Sequence, residues 1–185
     1  MTDLRLHYRL IWPLIVFLIL IVVYYSFTLM ANLLAAPFNS LLSQRVENRI
    51  RGRGVGEGLE PSLSLGLITR TVWSEVRKIL YQTKWLVLLI ILSIIPIVNL
   101  LAPIAWIYFG ARMLSVEYIE YPMANKGLFF RQVKQSIKKD RFASVGFGLG
   151  VMLITLIPVV NFFAMPVAVA AATAYWVDRL DQYAD

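Results

Sequence analysis

The chain has 185 residues, 59% of them hydrophobic, with a mean hydropathy of +0.68 and a formal charge of +7. That composition sets aside the soluble and disordered classes and reads as an integral membrane protein with one membrane domain. The basic residues flank apolar runs, as topology requires, which argues against nucleic-acid binding; with no Cys and a lone His7 there is no disulfide framework and no Cys/His metal set.

The first apolar run, Leu10–Phe38, holds 29 uncharged residues. Arg5 and Arg9 precede it like the basic start of a signal peptide, but a signal's apolar region runs only about 7–15 residues. Pro37 directly after Ala35 and Ala36 is also a poor cleavage context. The run reads as a retained transmembrane helix, about 43 Å long at 1.5 Å per residue. Ser40–Arg51 is expected to extend that helix out of the membrane, carrying Arg45, Glu47 and Arg49 into water.

A glycine-rich turn follows, Gly52-Arg53-Gly54-Val55-Gly56-Glu57-Gly58-Leu59-Glu60-Pro61. Alternating glycines let successive backbone N–H groups converge, and Ser62 or Ser64 can cap the helix that starts near Leu65, so the turn can cradle an anion with Arg51 and Arg53 nearby. A flexible surface linker fits the same spacing and is the plainer reading. Glu57 and Glu60 argue against a simple phosphate loop, and no Gly-Lys-Ser/Thr is present. Leu65–Lys84 then places Leu65, Ile68, Val72, Val76 and Ile79 on one helical face and Arg70, Ser74, Arg77 and Lys78 on others. An amphipathic helix at the membrane interface, or one packed on another subunit, has this pattern.

Trp85–Ala111 is 27 uncharged residues and Phe142–Val177 is 36. The latter would be about 54 Å as one helix, against a hydrocarbon core of roughly 30 Å, so it must fold back or protrude. Both carry a shared pattern, Asn99–Pro103 and Asn161–Pro166, each preceded by Ile-Pro (Pro96, Pro158); a third copy, Asn32–Pro37, ends the first run. Pro and Asn are costly in a lipid-facing helix, so the pattern marks breaks that line a path or a site. The apices are expected at Pro96–Pro103 and Pro158–Pro166, with the arms Phe142–Ile157 and Ala164–Val177 each shorter than a standard span. Asn99 and Asn161 can present amides to a solute; capping the half-helices after them is the plainer role.

Charge bears on topology. The linker 39–84 carries eight basic and four acidic side chains, and the linker 112–141 seven and three. If 85–111 crossed once, these basic linkers would lie on opposite faces, against the positive-inside rule. The expected fold is therefore all-α and integral to the membrane: one long transmembrane helix (10–38), two re-entrant helical hairpins (85–111, 142–177) entering from the cytoplasm, amphipathic interfacial helices between them, and a tail (178–185). Ordinary Pro-kinked spans are the alternative. In the second linker Phe130, Val133 and Ile137 form an apolar stripe beside Arg131, Lys134 and Lys138. Glu117 and Glu120 stand three apart, which suits a proton relay or, more plainly, solvation or a bond to Arg112. Nothing resembles a Ser-His-Asp or Cys-His arrangement, so neither an enzyme nor a cofactor is expected.

Ala35–Leu42 with Glu47 and Arg49, Tyr121-Pro122 with Asn125, and Ile157-Pro158, Asn161, Met165–Val169, Ala172-Thr173 and Trp176–Asp178 together resemble the CysZ family of bacterial sulfate transporters. The resemblance covers most of Tyr24–Asp178. It implies an oligomeric inner-membrane protein with partly inserted hairpins, passing sulfate to the cytoplasm for cysteine biosynthesis without an ATPase motif of its own. It also implies a sulfate site at a Gly-Leu-Glu turn, matched by Gly58, Leu59 and Glu60, with Arg53 beside it. Family members carry a further N-terminal amphipathic and transmembrane region whose basic pair helps to hold the anion. Arg5 and Arg9 do not match that pair by position, so an incomplete site is expected within these residues. Besides passage of sulfate or a similar oxyanion, the residues suit a structural role in which wedge-like hairpins shape lipid or scaffold a partner.

Overall fold

The computed structural model describes residues 2–54 and 65–183, and these are helical with short turns. The helices are α1 (Thr2–Ile50), α2 (Leu65–Ile94), α3 (Ala102–Ala124), α4 (Phe130–Lys139), α5 (Arg141–Thr155) and α6 (Pro158–Tyr175), with a 3-10 turn at Val98–Leu101 and a π-helical turn at Trp176–Leu180. The chain divides into two compact units, Met1–Phe38 and Asn39–Asp185. In the first, the side chains from Ile11 to Phe27 are all exposed, large apolar ones such as Trp12, Phe17 and Leu20 included. An uncharged, largely apolar stretch such as 11–27 suits lipid better than water.

In the second unit, α3 packs against α5 and α6. Val116, Ile119 and Met123 of α3 meet Val151 of α5, Val169 and Ala172 of α6, and Trp176. α3 and α5 approach closely because the facing residues are small: Ala111 and Ser115 on one helix, Ser144 and Gly148 on the other, each pair four apart and so on one stripe. Ser115 donates to the Ala111 carbonyl at 3.0 Å and also reaches the Ser144 carbonyl across the interface.

Both apolar runs after the first do reverse. α2 and α3 are joined by a tight turn in which Val98 N–H donates to the Pro96 carbonyl at 2.8 Å around Ile97, at φ 72° and ψ −50°. That is a strained γ-turn, and Ile97 is the sole described residue other than glycine with positive φ. Trp106 Nε1 then donates to Ser93 Oγ at 3.1 Å, tying the two arms. The second reversal lies at Leu156–Ile157, earlier than the expected Pro158–Pro166 apex. Pro158 opens α6 at a position where its missing N–H costs nothing, and the helix continues through Pro166, as apolar helices tolerate. As a consequence the second arm is not short: Pro158–Leu180, like Val98–Ala124, is long and apolar enough to cross a membrane.

One linker expectation changes. The stripe Phe130, Val133 and Ile137 of α4 is buried in the chain's own core, and Phe130 N–H donates to Ser74 Oγ at 3.0 Å. On α2, Val76 and Ile79 are exposed, as is Arg77, while Ser74 is buried and Lys78 half-buried, so the apolar face is free for an interface as expected. Ser74 accepts from Phe130 N–H and Lys78 pairs with Glu120, the partners that a hydroxyl and an ammonium need.

Candidate functional site

The last turns of α1 and Arg51 just after them carry a polar ladder. Asn39, Ser43, Glu47 and Arg51 recur every fourth residue and so share one face, and the first three are buried. Each meets a partner from far along the chain. Asn39 Nδ2 donates to Tyr121 Oη and lies against Met165 Sδ, both at 3.3 Å. The hydroxyls of Ser43 and Thr173 are 2.9 Å apart. Glu47 Oε1 accepts from Arg51 Nε at 2.8 Å and from Lys126 Nζ at 2.9 Å. Arg51 also pairs with Asp181. Beside the ladder, Ser40 and Asn125 exchange two hydrogen bonds, 2.7 and 3.1 Å.

Glu47 is therefore not in water, as expected from the sequence, but is the buried anion between two cations; Arg45 and Arg49, on the other faces, are exposed. The pairing is required, since a carboxylate removed from water without a partner is strongly unfavourable. Arg51 responds by binding its proton still more tightly, chiefly through its hydrogen bond to Asp181, with burial opposing. Gly52 closes α1 at φ +66°, a conformation that a side chain would strain.

A half-buried ion pair joins α2 to α3. Lys78 Nζ lies 2.7 Å from Glu120 Oε2 and 3.0 Å from a carboxylate oxygen of Glu75. Burial pulls the Lys78 ammonium down, but Glu120 and Glu75 more than offset it, and its pKa is pushed up to about 12.

The remaining sequence candidates fall in different places. Arg53 is exposed just beyond α1, its N–H bonded to the Asn48 carbonyl at 2.9 Å. Gly58, Leu59 and Glu60 lie outside the described residues. Pro96, Asn99, Pro158 and Asn161 are exposed at the two hairpin ends. Neither Asn caps a helix by its side chain: Asn99 sits within the 3-10 turn, Asn161 is already inside the first turn of α6, and the cap positions are Leu101 and Ile157. Glu117 is exposed, and Glu120 faces Lys78 and not Arg112, which reaches Tyr108 Oη instead. The ladder is a group that the sequence reading missed. Its signal was present as four polar residues at a spacing of four, in a stretch where only the charges had been weighed.

A sequence-family profile described as "Sulfate transporter CysZ/Etoposide-induced protein 2.4" matches residues 3–166. A Sulfate transporter CysZ of Pseudomonas aeruginosa is 42% identical over 167 residues, 90% of this chain and 68% of that protein. One of Pseudomonas syringae pv. tomato is 41% identical over 167 residues, covering 90% and 66%. Another, of Pectobacterium atrosepticum, is 39% identical over 171 residues, covering 92% and 62%. With the family profile spanning nearly the whole chain and helices fit to cross a bilayer, the chain belongs to the sulfate transporter CysZ/etoposide-induced protein 2.4 family.

Proposed function

We propose that this chain passes sulfate across the bacterial inner membrane, supplying cysteine biosynthesis, and that it does so as a homo-oligomer. The observation that carries this reading is family membership, with relatives named as sulfate transporters matching nine-tenths of the chain. The proposed architecture is one crossing helix (10–38) and two hairpins (85–111, 142–177) that enter from the cytoplasmic side, with a cytoplasmic extension (39–84), an amphipathic linker (112–141) and a tail (178–185). Its support is the two chain reversals, whose apolar tips such as Ile97 and Phe162 are exposed, together with basic residues at the opposite ends of the arms. The chain has no native cysteine, so Asn99→Cys and Asn161→Cys give single labelling sites. Neither is expected to react from the periplasmic face alone; a purely periplasmic Asn99→Cys would mean a full crossing and end the hairpin reading.

Sulfate is proposed to bind at the turn formed by Gly58, Leu59 and Glu60, with Arg53 beside it, before passing the hairpin apices at Asn99 and Asn161. Basic linkers near this entrance raise the local anion concentration. Uptake of radiolabelled sulfate into proteoliposomes should be saturable and selective. Gly58→Val and Glu60→Ala should weaken sulfate affinity roughly tenfold, equivalent to about 1.4 kcal/mol. The valine is expected to act through the backbone, because a β-branched residue resists the positive φ that glycine permits. Unaltered affinity in the folded Gly58→Val protein would remove the site. The exposed apolar hairpin tips also suit a membrane wedge, and liposome tubulation without sulfate flux would favour that role.

A further inference from the structure

A cleft of about 550 Å³ opens between the two arms of the first hairpin and α4. One end is apolar, formed by Trp85 and Leu89 of α2 and Phe109 of α3. The other end is lined by five cations from four helices: Lys84, Arg112, Lys134, Lys138 and Arg141. No carboxylate lines it. Among the described residues, none of these five cations takes part in an ion pair, unlike Arg51, Lys78, Lys126 and Arg179.

What the five cations do have is weak. Lys134 Nζ sits 4.6 Å from the centre of the Tyr81 ring. Arg141 Nε donates to the Lys138 carbonyl at 3.2 Å. Arg112 spends one terminal nitrogen on Tyr108 Oη at 3.4 Å, while its Nε is buried with no partner. A buried donor without an acceptor is unfavourable, and like charges sharing one cleft repel. The cleft therefore gathers positive charge that its own lining does not balance.

We infer that this cleft holds the phosphate of an anionic phospholipid, with the start of an acyl chain along Trp85, Leu89 and Phe109. A free oxyanion would satisfy the cations but would leave the apolar end empty. An amphiphile matches both ends in their order: charge beside α4, hydrocarbon toward the exposed apolar flanks of the hairpin, Leu88 and Ile91. The volume falls within the 300–1,000 Å³ typical of a small-molecule site. Basic pockets between membrane helices take lipid head groups by this chemistry. The inference rests on insertion of the hairpin in a membrane and not on passage of sulfate.

The test is native mass spectrometry of the full chain from mixed micelles of phosphatidylglycerol and phosphatidylcholine. The protein should retain phosphatidylglycerol over phosphatidylcholine by about tenfold. Arg112→Gln with Lys134→Gln should abolish the preference. Lys84→Gln with Lys138→Gln changes only exposed side chains, so it tests the same cleft without threatening the fold, and should reduce the preference severalfold. Arg49→Gln, an exposed cation elsewhere, should leave it unchanged. Equal retention by the Lys84/Lys138 variant and the unmodified chain would overturn the inference. So would displacement of phosphatidylglycerol by millimolar sodium sulfate, which would assign the cleft to a free oxyanion. No flux is read, so failure here is distinguishable from failure of the transport reading.

Discussion

Gly148→Ala is expected to be the most damaging single methyl group that can be added to the described part of this chain. A Cβ built on Gly148 falls on the Ala111 carbonyl and its carbon, with Ser115 Oγ at 2.5 Å. The obstruction is backbone, so no rotamer change relieves it, and α3 and α5 must move apart. Overpacking of a rigid contact costs about 1–3 kcal/mol, and here the separated helices also lose the bond from Ser115 to the Ser144 carbonyl. The controls lie on the same helix. At Gly146 and Gly150 a Cβ meets nothing within 4 Å. Alanine there should be neutral or stabilising by up to about 1 kcal/mol through helix propensity. Thermal unfolding in detergent checks all three, and a Gly148→Ala protein as stable as Gly146→Ala would refute the close helix contact.

The second large effect is expected at Glu47. Glu47→Ala leaves Lys126 without its counter-ion and Arg51 with Asp181 alone. Breaking a buried pair costs about 3–5 kcal/mol when the surviving charge is sealed in. Arg51 and Lys126 are partly solvated, so a loss of about 2–3 kcal/mol is expected. Glu47→Gln keeps an acceptor for one of the two cations and should lose about half as much. Unfolding temperatures give the order unmodified, Gln, Ala; an Ala variant within about 1 °C of the unmodified chain would show that the carboxylate is not an anchor.

The hairpins were legible because Pro96 and Pro158 each remove a backbone donor, and the length of 142–177 required a fold-back. The position of the second turn was not, since Pro166 looks like a breaker but stands two turns inside a helix that tolerates it. The burial of the α4 stripe was not legible for a different reason: hydrophobic periodicity says which residues share a face, not what that face meets, and Phe130, Val133 and Ile137 meet this chain's own core while Val76 and Ile79 of α2 stay exposed. The buried role of Glu47 was hidden because its partners Lys126 and Arg51 come from different parts of the sequence. Of the proposed sulfate site, the described residues include Arg53 only, which is exposed just beyond α1.

The polar ladder also orders events in time. Each rung except the contact of Glu47 with Arg51 joins α1 to residues made much later: Tyr121, Lys126, Met165, Thr173 and finally Asp181. Arg51 and Asp181 are 130 residues apart, so at bacterial rates of synthesis Arg51 waits on the order of ten seconds for its second carboxylate. The rungs fill broadly as the nascent chain lengthens, and the last to close is the one nearest the glycine-rich turn. Arg51 and the start of the turn that follows it are therefore secured only after both hairpins have been synthesised.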